Sequence, residues 1–137
     1  MHLRFLIAGL ACFGLVIALA VVPVVAQGSG TIDPSAPCTI KGTNGPNLLS
    51  GTAGADVICG YDGNDIITAK GGNDVVRGGA GADTIYGDYG RDYLYGNQGN
   101  DKIYARDSQQ DHVYGGLGSD YARVDAPLDV LSSVESH

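Results

Sequence analysis

Tryptophan is absent from this chain, and basic residues are scarce: Lys+Arg number 8 against 15 Asp+Glu, a formal net charge of −7. The shortage of positive charge excludes the basic footprint of a nucleic-acid-binding protein. Strong helix formers are thin beyond residue 26, which argues against a helical domain and leaves turns and short strands. Catalytic signatures are also missing. There is no H-E-x-x-H and no G-x-S-x-G, and no serine neighbours a histidine in a nucleophile motif. His112 and His137 have no cysteine or acid cluster at zinc spacing. With 137 residues there is no spare chain for a separate catalytic domain, so no catalytic residue is assigned and a non-enzymatic protein is expected.

What is abundant is glycine, 22 of 137 residues, or about 16% where roughly 7% is usual. Before the glycine-rich part, Arg4 precedes an apolar run from Phe5 to Val22, and Val24 and Ala26 place small residues before Gln27. This pattern predicts a signal peptide over 1–26, cleaved after Ala26. The alternative is an uncleaved anchor, since the run is about long enough to span a bilayer. Cleavage removes Arg4 and no acid, so the net charge falls from −7 to −8 and no membrane span remains. A compact acidic domain repels itself unless cations neutralise it.

From Gly42 the chain repeats every nine residues: GTNGPNLLS, GTAGADVIC, GYDGNDIIT, AKGGNDVVR, GGAGADTIY, GDYGRDYLY and GNQGNDKIY. With Ala105 read as an inserted residue, RDSQQDHVY, GGLGSDYAR and a worn VDAPLDVLS complete ten blocks. Position six is Asn47 and then Asp56, Asp65, Asp74, Asp83, Asp92, Asp101, Asp111, Asp120 and Asp129. Position eight is Leu49, Ile58, Ile67, Val76, Ile85, Leu94, Ile103, Val113, Ala122 and Leu131.

These blocks resemble the G-G-x-G-x-D-x-U-x repeat of the RTX (hemolysin-type) calcium-binding family. The match is good over 42–123 and weak over 124–132. The resemblance implies an all-β fold, a parallel β-roll akin to a right-handed β-helix, in which two nonapeptides make one 18-residue coil. Local physics agrees. Glycines early in each block allow the chain to reverse tightly. Positions seven to nine then form a short strand, with position eight inward and its neighbours outward.

Stacked coils would align like-phase acids in two rows: Asp56, Asp74, Asp92, Asp111 and Asp129 on one side, and Asn47, Asp65, Asp83, Asp101 and Asp120 on the other. Such rows need a hard cation. Calcium accepts six to eight oxygens in flexible geometry, whereas magnesium demands a tight octahedron. Zinc is disfavoured where the repeated ligands are oxygens. By resemblance, each ion lies between the turns of repeats n and n+2. The metal residues so assigned are Asp56, Asp65, Asp74, Asp83, Asp92, Asp101, Asp111 and Asp120, with carbonyls near Gly54, Gly63, Gly72, Gly81, Gly90 and Gly99. Asp56/Asp74, Asp65/Asp83, Asp74/Asp92 and Asp83/Asp101 rank first as seats, followed by Asp101/Asp120 and Asp92/Asp111. The turns RDSQQD and VDAPLD lack glycine. The alternative is a metal-free, solvated acidic edge. Seats on an open edge imply affinity of ~10⁻⁴–10⁻³ M, as in extracellular modules.

Two cysteines remain after the leader, Cys38 and Cys59. An even pair in an exported chain predicts a disulfide, with two free thiols as the alternative. They are 21 residues apart, not the 18 of one coil, so a bridge requires Cys38 to fold back as part of a cap. Tyr86, Tyr95, Tyr104 and Tyr114 share position nine, either as cross-strand packing or as a face for sugars or a protein.

The expected organisation is a leader (1–26), a lead and N-terminal cap (27–41), the roll (42–123), and a degenerate repeat with a C-terminal cap (124–137). The expected function is a secreted, extracellular calcium-binding protein that folds on binding calcium and does not bind nucleic acid. The alternative is an adhesion or polysaccharide-binding module that uses calcium only structurally. An N-terminal leader departs from the C-terminal export signal usual in RTX toxins.

Overall fold

The computed structural model describes residues 33–125 and 127–134. The leader, its cleavage point and the anchor alternative lie outside the described residues, as do residues 27–32 of the lead. Eleven strands follow one another: β1 (Ile40–Lys41), β2 (Leu48–Ser50), β3 (Val57–Asp62), β4 (Ile66–Thr68), β5 (Val75–Ala80), β6 (Thr84–Tyr86), β7 (Tyr93–Gln98), β8 (Lys102–Ala105), β9 (His112–Leu117), β10 (Tyr121–Val124) and β11 (Val130–Ser132). Odd strands form one sheet in the order β1-β3-β5-β7-β9-β11, and even strands a second in the order β10-β8-β6-β4-β2. Every pairing is parallel. The protein is an all-β solenoid in which each strand stacks on the strand two ahead of it.

The register follows the nine-residue beat. Ile40 pairs with Ile58, Ile58 with Val76 and Val76 with Leu94. Leu94 then pairs with Val113, one residue beyond the 18-residue step, because a residue is inserted. That residue is not Ala105. Ala105 pairs with Val124 in the sheet and is fully buried, so the extra residue sits in the following turn, within 106–110.

Strand alternation sets the interior. Position eight of the central repeats, Ile58, Ile67, Val76, Ile85, Leu94, Ile103 and Val113, has no exposure at all. Ile40, Leu49 and Ala122 pack against this cluster from the ends. Leu131 departs from the pattern and is 42% exposed, because β11 is the last strand of its sheet. The same alternation brings positions six and one inward, so Ala69 and Ala105 join the core. Outward positions are exposed or half-buried with two exceptions. Cys59 is taken up by a disulfide, and Val75 is buried between its register neighbours Val57 and Tyr93.

Cys38 and Cys59 are bridged, with Cα atoms 5.9 Å apart. The ladder partner of Cys59 is Lys41. Cys38 stands before β1, where the lead has left the ladder and folds back over the odd-strand sheet. Arg77 holds it there, donating to the carbonyls of Pro34 and Ala36 and lying 3.4 Å from the Cys59 sulfur.

Candidate metal centre

Position six lies immediately before each strand, one residue ahead of the outward position seven, so its side chain points inward. The carboxylates are therefore interior groups. Asp74, Asp92 and Asp111 have no exposure, Asp65, Asp83 and Asp101 have 1%, Asp120 3% and Asp56 8%. A solvated acidic edge is excluded by this burial, and the seats do not stand on an open edge.

The acids form two vertical ladders. In all but the first residue of each row, Oδ1 accepts the main-chain N–H of the position-six residue one coil earlier. In one row the N–H groups of Asp56, Asp74, Asp92 and Asp111 donate to Asp74, Asp92, Asp111 and Asp129 at 2.8, 2.9, 2.8 and 2.9 Å. In the other, Asn47, Asp65, Asp83 and Asp101 donate to Asp65, Asp83, Asp101 and Asp120 at 2.7, 2.8, 2.8 and 2.9 Å. One carboxylate oxygen thus does the work of a strand carbonyl, which explains why an acid recurs at this position.

The second oxygen is left over. Oδ2 of Asp65, Asp74, Asp83, Asp92, Asp101, Asp111 and Asp120 is buried with no hydrogen-bond partner. An unsatisfied buried oxygen of this kind costs about 1–3 kcal/mol, more when charged. Burial, reinforced by neighbouring acids, pushes Asp74 up to about 7, Asp92 to about 8, Asp101 to about 6 and Asp111 to about 7. Burial also raises Asp65 and Asp83.

The backbone around these oxygens is shaped by glycine. A Cβ on Gly60, Gly78, Gly96 or Gly115, all at position one, would collide with Oδ2 of Asp65, Asp83, Asp101 or Asp120 and with a carbonyl of the neighbouring coil. Within the turns, the position-four glycines Gly63, Gly72, Gly81, Gly90 and Gly99 adopt φ between 109° and 134°. Gly54 is different: it is exposed and is not among the positive-φ residues. Gly118 has the same left-handed geometry (φ 134°), and its G-x-D context matches theirs. Sequence reasoning passed over Gly118 and the position-one glycines, although the period points to both.

Among the described residues no three His, Cys, Asp or Glu side chains come together as a metal cluster. The acids meet as stacked pairs, so a cation held here would take its remaining oxygens from turn carbonyls. That donor set, all oxygen and supplied by flexible turns, suits calcium. The orphaned Oδ2 atoms and the space kept clear by glycine fit such an ion.

The tyrosines pair across strands. Tyr86 stacks on Tyr104 with centroids 4.9 Å apart, Tyr95 on Tyr114 at 4.8 Å, and Tyr93 on His112 at 4.6 Å. One face of each ring is occupied by its neighbour, as cross-strand packing requires.

Comparison with curated proteins finds no match, and neither does comparison with solved structures. A family model, that of the RTX calcium-binding nonapeptide repeat, matches in 4 copies over residues 41–76, 68–103 and 107–122, together more than half of the chain. This chain, with its rows of inward acids, glycine-shaped turns and parallel coils, thus belongs to the RTX calcium-binding nonapeptide repeats.

Proposed function

We propose that this is a secreted, non-enzymatic protein whose roll folds as it takes up calcium. The observation that carries the reading is the set of seven buried, unpartnered Asp Oδ2 atoms. At about 1–3 kcal/mol each they would exhaust the roughly 5–15 kcal/mol that holds a typical domain together. A positive partner must therefore reach most of them before the fold is stable. A divalent ion bound only by the folded state stabilises that state by mass action. Position-six acids of successive coils and the carbonyls of the intervening turns are the groups that would hold it. Export is supported by the leader pattern and by a disulfide, which persists in oxidising compartments.

The test is far-ultraviolet circular dichroism of the purified protein in excess chelator and then in millimolar-range calcium, the range of extracellular modules. Strand signal and protease resistance should appear with calcium. The same folded spectrum in chelator at neutral pH would refute coupling between calcium and folding.

A further inference from the structure

The two rows of acids are served by different turns. Asp65, Asp83, Asp101 and Asp120 follow the turns 61–64, 79–82, 97–100 and 116–119. In all four turns positions two and four are left-handed: Tyr61 and Gly63 (φ 78° and 109°), Gly79 and Gly81 (120° and 134°), Asn97 and Gly99 (77° and 127°), Gly116 and Gly118 (111° and 134°). Each position-one residue ahead of these acids is a glycine whose missing Cβ leaves space at Oδ2. This row is uniform over four coils.

The opposite row is closed at both ends by its own hydrogen bonds. Thr52 donates its main-chain N–H (2.7 Å) and its hydroxyl (2.9 Å) to Asp56 Oδ2. Asp125 donates its N–H to Asp129 Oδ2 at 2.7 Å. An oxygen that accepts an N–H from its own turn faces a partial positive charge where a cation would have to stand. Asn47 is closed in the same way by the Thr43 N–H at 2.6 Å, which bounds the first row.

The middle of this second row is also interrupted. The turn after Ala105 carries the extra residue, and within it only Ser108 has positive φ. In four other turns the position-four N–H reaches a carbonyl of the next coil: Gly63 to Ala80, Gly72 to Tyr89, Gly81 to Gln98 and Gly99 to Leu117. Gly90 instead donates to the Asp107 carboxylate at 2.6 Å, and Ser108 donates to Asp125 at 2.8 Å. At these two turn positions side-chain carboxylates have replaced the carbonyl acceptors. In backbone φ the adjacent turns 70–73 and 88–91 still match those of the first row, with Lys70, Gly72, Asp88 and Gly90 all left-handed, although Ala69 and not glycine stands at position one ahead of Asp74.

We infer that the rows are unequal. Three calcium seats lie in the uniform row, at Asp65/Asp83, Asp83/Asp101 and Asp101/Asp120, and one lies in the other, at Asp74/Asp92, giving four ions. The inference rests on the calcium reading above and sharpens it. Relative to the repeat pattern, it drops the seats at Asp56/Asp74 and Asp92/Asp111 and raises Asp101/Asp120 to full standing.

Native mass spectrometry of the folded chain in calcium counts the ions directly. Asn is nearly isosteric and keeps the Oδ1 acceptor of the ladder, so Asp→Asn variants test seats one at a time. Four ions are expected in the parent. Asp83→Asn serves two seats and should retain two ions. Asp74→Asn should retain three, and Asp56→Asn and Asp111→Asn should retain all four. An ion lost from Asp56→Asn or Asp111→Asn, or a parent count other than four, overturns the inference while leaving calcium binding intact. A parent that takes up no calcium overturns the calcium reading itself and this inference with it. Should Asp83→Asn fail to fold, Asp120→Asn at the end of the row decides the same point: three ions support the assignment and four refute it.

Discussion

The main-chain N–H of Asp83 donates to Oδ1 of Asp101 at 2.8 Å, and Oδ2 of the same Asp101 is buried without a partner. One side chain thus completes the backbone ladder between coils and leaves an interior oxygen in need of positive charge. The first role is structural and is met without any ion. The second is the role that, in the proposed function, couples the fold to a cation.

Protons can supply that charge as well as metal. Burial raises Asp74, Asp92, Asp101 and Asp111 to between about 6 and about 8, well above the usual carboxylate value of 3.8. A raised group stabilises the fold fully below its unfolded pKa, and that contribution is lost as pH rises through the folded value. Calcium-free protein should therefore gain strand signal as pH is lowered from about 9 to about 5. Calcium affinity should weaken over the same interval as protons compete. A calcium-free fold that strengthens with rising pH would contradict the burial of these acids.

Gly96→Ala should damage the seat through space alone. Its Cβ would meet Asp101 Oδ2 and the Gly115 carbonyl, although Gly96 is not left-handed. A loss of about 1–3 kcal/mol is expected, as for overpacking in a rigid interior, together with weaker calcium uptake. Gly45 has nothing within 4 Å of an added Cβ, so Gly45→Ala is the matched control. Equal thermal shifts in the two variants would sink the argument.

Ile85→Asp should abolish folding even in saturating calcium, whereas Thr84→Asp should not. Ile85 has no exposure and Thr84 is half-buried on the outer face. A lone carboxylate in place of Ile85 would cost several kcal/mol. Circular dichroism and limited proteolysis of both variants read the outcome. A folded Ile85→Asp, or an unfolded Thr84→Asp, would show the strand phase to be wrong.

Reduction of the Cys38–Cys59 bridge, which closes a 21-residue separation, should cost about 3 kcal/mol. The lead would also lose its covalent hold on the sheet, leaving the Arg77 contacts to Pro34 and Ala36. Urea denaturation in calcium, with and without reductant, measures the difference. An unchanged midpoint would mean that the lead contributes nothing to the stability of the roll.

The nine-residue beat by itself determined the tight turns, the short strands and the inward aliphatic row, and it carried the family resemblance that implied the parallel coils. Each is a local consequence of one block: glycines that turn, a strand of three residues and a fixed inward position. Even the solitary Ile40 falls in line, pairing with Ile58. The period could not say whether the acids face water, because position six reads as part of a turn. Only stacking shows that strand alternation extends back to it and buries Asp83 and Asp101. Nor could the period distinguish one row from the other. GTAGAD and GGAGAD are near-identical blocks, yet Thr52 closes its own acid with an N–H while Gly79 does not. That difference lies in backbone φ and hydrogen-bond partners, which depend on contacts with the neighbouring coils. The insertion is the same kind of case. Placed at Ala105 by the repeat pattern, it belongs to the next turn, because burial and pairing with Val124 hold Ala105 in the sheet.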